Sequence, residues 1–131
     1  FVISALIARS RRRPYTMDIA SRQDGSIRIL KLTGRLDQAS ADNFHKALIP
    51  HLDDCSATGN PLLLDFSGVE YISSGGLRVM ILAAKQVKVQ NGKVAIANLT
   101  PIVAEVFQIG RFNLVFQVFQ NYDDAVKFLN Q

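Results

Sequence analysis

The sequence predicts an α/β domain: a mixed β-sheet of about five strands with about four helices packed against it. Three observations carry this. Short β-type runs alternate with amphipathic helical runs along most of the chain, and that alternation implies crossover connections between largely parallel strands. One pair of runs is instead joined by Asp24-Gly25, which accepts the positive φ angles of a tight hairpin. Finally, 131 residues, 48% of them apolar and 20% charged, suffice for one buried core and exclude disorder as the overall state.

The elements follow in order. Ile19 to Ser21 and Ile27 to Leu32 form the hairpin strands, and Thr33-Gly34 interrupts the second. Phe44, Ala47, Leu48, Leu52 and Cys55 then recur at spacings of three and four, the stripe of a helix. Ser40 and Asp42 are placed to cap it. Pro50 lacks an amide hydrogen, which predicts a kink or an early end. Residues 53–60 are polar and read as a loop. Pro61 to Phe66 is a short apolar run, fitting a strand covered on both faces. Ser67-Gly68 predicts a turn, after which Tyr71-Ile72 returns to the core.

Ser73-Ser74-Gly75-Gly76 opens a second helix with Leu77, Met80, Ile81, Ala84 and Val87 inward, and Asn91-Gly92 stops it. Lys93 to Ala97 alternates as a strand. Thr100 as N-cap and Pro101 at the first helical position start a third helix that turns Ile102, Val106 and Ile109 inward and ends at Gly110. Leu114 to Phe119 is the last strand. Asn121 caps a final helix carrying Ala125, Val126 and Leu129. The order is β-β-α-β-α-β-α-β-α, and Phe112, Phe116, Phe119 and Phe128 read as core.

Residues 1–16, FVISALIARSRRRPYT, stand apart from this pattern. They are expected to be a leader or an added extension, with the domain at 17–131; the alternative is a basic stretch beside a membrane-associated segment. The net charge of +4 comes wholly from Arg9, Arg11, Arg12 and Arg13, because from Met17 onward eleven basic residues balance eleven acidic ones. The domain therefore offers no basic face for nucleic acid. A single cysteine, Cys55, cannot form an intramolecular disulfide, which favours a reducing, cytoplasmic location. With no CxxC and two histidines, no metal site or other cofactor is expected. No apolar run approaches the roughly 20 residues of a membrane span.

The Ser73–Gly76 stretch is the most informative for chemistry. A serine between a buried strand and a helix sits at or beside the N-cap, where its hydroxyl satisfies a first-turn amide. Capping alone accounts for such a serine in many helices. A phosphate there would also face free amides at the positive end of the helix dipole. It would add a charge of about −1.5 to −2 to a formed surface without unfolding it. GxxxxGK[ST] is absent, so this is no P-loop. Gly-x-Ser-x-Gly is absent too, so it is no nucleophile elbow. His45 and His51 lie roughly 240° apart on one helix and read as surface or boundary residues. Asp37 allows two readings: a cap at the start of the helix, or a carboxylate presented on the sheet edge that carries Ser74.

Taken together, Thr33-Gly-Arg-Leu-Asp37, Leu62-Leu-Leu-Asp-Phe66, Tyr71-Ile-Ser-Ser-Gly-Gly-Leu77 and Asn91-Gly92 resemble the STAS domain family, from about Met17 to Gln131. That family includes bacterial anti-sigma factor antagonists and the cytoplasmic domains of sulfate transporters. The resemblance implies a single STAS-like domain without enzymatic activity, a monomer or weak dimer. It places a phosphorylation site at Ser74 and a partner-binding surface at Asp37, Ser73, Ser74, Gly75, Gly76 and Arg78. The implied partners are an anti-sigma serine kinase of GHKL type, released by phosphorylation, and a metal-dependent serine phosphatase that reverses it. The alternative within the family is a fixed subunit of a membrane transport complex. The chain departs from the antagonist pattern once, with Ser73 where the aspartate before the acceptor is usual.

Overall fold

The computed structural model describes residues 17–131; the expectation for residues 1–16 lies outside the described residues. Strands β1 (Met17–Asp24) and β2 (Ile27–Leu36) form the antiparallel hairpin, with Asp24 paired to Ile27. Its two loop residues are Gly25 and Ser26, not Asp24 and Gly25. Asp24 closes the strand and Gly25 takes the positive φ of 61°, the Gly-first form of a tight turn. Gly34 does not end β2. It adopts φ 120° where the pairing with β3 (Leu62–Ile72) shifts register, so a bulge absorbs the glycine and the strand runs on to Leu36.

Helix α1 (Ala41–Asp53) buries Ala41, Phe44, Leu48 and Leu52, and Ala47 turns out to be exposed. Pro50 sits inside the helix without ending it. Pro50 and Lys46, whose carbonyl loses its helical donor, are both on the exposed side, where water can replace the bond. Cys55 is buried just beyond, its Sγ–H donating to the Lys93 carbonyl at 3.2 Å, and burial pushes the thiol pKa up.

β3 is one strand of 11 residues, with no turn at Ser67-Gly68. A Cβ on Gly68 would lie 2.8 Å from the Leu32 carbonyl oxygen, so the glycine marks a close approach to β2 rather than a reversal. Ile72 is buried, whereas Tyr71 is exposed, with the Arg35 guanidinium 4.5 Å from its ring centroid. Desolvation acts to raise the pKa of Asp65. Hydrogen bonds from the Ser67 amide and the Asn98 side chain outweigh it, leaving the carboxyl below its usual range.

Helix α2 (Ser74–Val89) buries Leu77, Val79, Met80, Ala83 and Val87, with Ile81 and Ala84 half-buried at the margin. After β4 (Val94–Ala97), helix α3 (Pro101–Ile109) presents a different face from the one its spacing suggests. Val103 and Phe107 are buried, while Ile102 and Ile109 are 58% and 76% exposed. Phe107 decides the rotation, because its ring packs edge-on against Phe66 at 6.1 Å and tilted against Phe116 at 5.8 Å. Thr100 makes no side-chain cap to α3 and instead donates to the Val69 carbonyl at 2.9 Å. A 3₁₀ turn (Phe112–Leu114) takes the start of the expected last strand, leaving β5 as Gln117–Phe119. Helix α4 (Tyr122–Leu129) is capped by Asn121, whose side chain accepts from the Asp124 amide at 2.9 Å.

The sheet order is β1-β2-β3-β4-β5, antiparallel at β1–β2 and parallel elsewhere. Alternation then sorts the side chains. Leu30, Leu32, Leu62, Leu64, Phe66 and Ile96 join the large core with residues of α1, α2 and α3. Ile27, Ile29, Leu63, Ala95 and Ala97 face the other way, with Ala125 and Leu129 of α4. The central strands are covered on both faces, as their apolar runs require. Where β2 and β3 end, α1 and α2 begin, and the candidate site lies on that edge.

Candidate functional site

The site is built by docking two strand-to-helix turns. The Ser73 amide donates to the Leu36 carbonyl at 2.8 Å, so the end of β2 holds the start of α2. Ser73 is the N-cap, extended at φ −93° and ψ 173°, and its Oγ accepts from the Gly76 amide at 3.2 Å. Ser74 is therefore the first residue inside the helix. It is exposed, and its hydroxyl makes no hydrogen bond among the described residues. The two adjacent serines thus divide the work, one occupied with the backbone and the other left to solvent.

Gly75 and Gly76 also differ. Gly76 is buried, and a Cβ there would lie 2.6 Å from Leu36 Cγ and 2.7 Å from the Leu36 oxygen, so it seats the helix and presents nothing to a partner. Gly75 is half-buried, and the atoms nearest its missing Cβ belong to the end of the Gln38 side chain.

Asp37 stands on the same edge, but its carboxylate works locally. Its Oδ1 accepts from the Ser40 amide at 3.0 Å and lies 3.1 Å from the Ser40 hydroxyl, whose single hydrogen it shares with the Arg35 carbonyl at 2.9 Å. The capping reading of Asp37 therefore describes the loop into α1, and Gln38 is the side chain that reaches the serine turn. Arg78 is exposed, one turn after Ser74 on the same face of α2.

Two grooves meet at the Ser74–Arg78 ridge. The larger, about 480 Å³, runs between α1 and α2 and is lined by Gln38, Asp42, His45, Gly75 and Leu82 besides the ridge itself. The smaller, about 290 Å³, is bordered by Leu77, Ile81, Leu82, Lys85 and Phe112. Leu82, two turns beyond Ser74 and 42% exposed, continues the ridge. Sequence reasoning missed Gln38, His45 and Leu82 as members of this surface. An apolar residue at the eighth position after Ser74, on the stripe that otherwise carries Ser74 and Arg78, was the available signal for Leu82. His45 had none, since only the packing of α1 on α2 brings it near.

The sequence matches the STAS domain family over residues 18–125. The chain belongs to the STAS domain family. Among curated relatives of this STAS domain is the candidate anti-sigma factor antagonist BtrV of Bordetella bronchiseptica, 34% identical over 102 residues, covering 78% of this chain and 84% of that protein. Among solved structures, an anti-sigma factor antagonist from Mycobacterium paratuberculosis superposes with a TM-score of 0.79 at 17% identity, covering 91% of this chain and 98% of that one. The murine anion transporter Slc26a9 in its inward-facing state gives 0.72 at 16% identity, with 98% of this chain matched to 24% of the transporter. One fold thus occurs both alone and inside a transporter, so it leaves function to the site. No helix among the described residues is long and apolar enough to cross a membrane.

The division between the serines can be tested. Ser73→Ala should cost about 1 kcal/mol of stability by leaving the Gly76 amide without its cap, and Ser73→Asp should restore it, since Asp and Ser cap about equally well. Urea midpoints of the two variants check this. Equal midpoints for Ser73→Ala and the unchanged protein would remove Ser73 from the capping role.

Proposed function

We propose that the protein is an anti-sigma factor antagonist that works by partner switching. Unphosphorylated, it docks an anti-sigma serine kinase through the ridge of Ser74, Arg78 and Leu82 and the flanking grooves. Phosphorylation of Ser74 by that kinase ends the complex, and a metal-dependent serine phosphatase restores it. The antagonist relative from Bordetella bronchiseptica supports the class. The observation that carries the mechanism is the state of the two hydroxyls: Ser73 caps α2, while Ser74 is exposed and unbonded. A phosphate on Ser74 costs no cap, disturbs no packing and changes only what a partner meets. The usual aspartate and the present Ser73 are both good N-caps, so the substitution keeps the geometry of the acceptor turn and removes one negative charge beside it.

In this reading the protein has no catalysis of its own and binds no cofactor. Incubation with ATP and GHKL-type kinases of the same genome, followed by mass spectrometry, tests it. Phosphate is expected on Ser74 and lost in Ser74→Ala. A panel that leaves Ser74 unmodified while the protein cofractionates with membranes would instead favour the fixed subunit of a transport complex.

A further inference from the structure

The far end of α2 borders a third groove, which meets the smaller of the two ridge grooves at Lys85. It has a volume of about 510 Å³ and lies between the last turns of α2, the start of β4, the residues leading into β5, and α4. Its floor is apolar: Val87 and Phe116 are buried, and Val94 and Phe128 are half-buried. Leu114 and Val115 border it although they are 77% and 55% exposed, an unusual amount of branched hydrocarbon left in water on one short segment. Three lysines share the lining: Lys85 and Lys88 from α2, and Lys93 before β4. No acidic residue lines the groove. Lys93 already donates to the Gln131 carbonyl oxygen and lies 5.8 Å from the centroid of the Phe128 ring. The side chains of Lys85 and Lys88 make no hydrogen bond or ion pair among the described residues.

Lysines near a helix C-terminus complement its dipole, which accounts for Lys88 alone but not for the apolar lip facing it. A small hydrophilic anion would use the ammonium groups and leave Leu114 and Val115 in water. A neutral hydrocarbon would cover the lip and leave the cations without partners. The complement of this groove is a molecule divided in the same way, a hydrocarbon chain ending in an anion. The volume falls within the roughly 300–1,000 Å³ typical of small-molecule sites and is small for a folded partner.

We infer that the groove binds a medium-chain fatty acid, with the chain against Val87, Val115 and Phe116 and the carboxylate at Lys85 and Lys88. The site is at the other end of α2 from Ser74 and shares only Lys85 with the smaller groove beside the ridge, so the inference does not rest on the phosphorylation reading.

Titration of the full chain with dodecanoate below its micelle concentration, followed by amide chemical shifts, tests the inference. Saturable shifts are expected at Val115, Phe116 and Lys88 and not at Ser74. The double variant Lys85→Glu with Lys88→Glu, both at exposed positions, should bind about tenfold more weakly or worse, because the carboxylate then meets like charge. Dodecanol and butyrate, which carry the chain or the charge alone, should each bind more weakly than dodecanoate. The inference is overturned if dodecanoate gives no saturable shifts, if dodecanol or butyrate binds as tightly, or if the charge reversals leave its affinity unchanged.

Discussion

Gly76→Val should destabilise the domain by about 3 kcal/mol or more, and Gly76→Ala by about 1–3 kcal/mol, as expected where a side chain is forced into a packed site. The added Cβ would stand 2.6 Å from Leu36 Cγ, 2.7 Å from the Leu36 oxygen and 3.0 Å from Ile72 Cγ1. Side chains can rotate away, but that oxygen cannot, because it accepts the Ser73 amide that ties β2 to α2. Relief therefore requires moving the helix start, and the residue moved first is Ser74. The gain in helix propensity from Gly to Ala, at most about 1 kcal/mol, is too small to offset this. Gly75→Ala is the internal control. Its Cβ meets only the flexible end of Gln38, so stability should stay within about 0.5 kcal/mol. Urea unfolding with an unchanged m-value checks both, and equal midpoints for Gly76→Ala and Gly75→Ala would mean that α2 is not seated on β2 in this way.

That seat shows what the sequence could and could not reveal. The order of elements was legible because each helix and strand buries its own periodic apolar set, and that period is written locally. The errors fall where a neighbour decides. Gly34 and Gly68 read as breaks, yet each lies in a strand: one is absorbed by a bulge and the other is required by the approach of the β2 backbone. Ile102, Val106 and Ile109 form as regular a stripe as Val103 and Phe107. Only the position of Phe66 and Phe116 across the core selects the second set, leaving Ile102 and Ile109 exposed and Val106 half-buried at the core's margin.

The site was legible in part, for the same reason. Ser73, Ser74 and the glycines announce a helix start, and the order of several short motifs points to the family. Which serine caps and which faces water is a matter of φ and ψ, settled by the bond from Ser73 to Leu36. Asp37 can be read from the sequence as a cap or a presented carboxylate, and the bonds from Ser40 to its Oδ1 depend on the loop geometry that the sequence does not show. Gln38 and His45 join the surface only because α1 packs beside α2, a contact between distant parts of the chain.

Under the partner-switching reading, Ser74→Asp should weaken kinase binding by about 2–4 kcal/mol, roughly 30- to 1,000-fold, as expected for uncompensated charge placed inside an interface. Phosphorylated protein should lose more, since it carries nearly twice the charge and greater bulk. Ser74→Ala should bind about as well as the unchanged protein, because the hydroxyl has no partner of its own to lose. The same substitution should act in the opposite direction on folding. The first turn of α2 contains no acidic residue, so a carboxylate at Ser74 meets an uncompensated helix dipole and should stabilise the domain by about 0.3–1 kcal/mol. That opposition separates a switch from simple damage. A variant that has lost its partner while melting higher is intact and has changed only its surface. Calorimetric titration against the kinase and thermal unfolding of the same sample give both signs. If Ser74→Asp and the phosphorylated protein both bind within about twofold of the unmodified one, Ser74 controls no release and the domain is a static module. If binding and thermal stability fall together, the loss reports unfolding, and the charge at the helix tip is not what the partner reads.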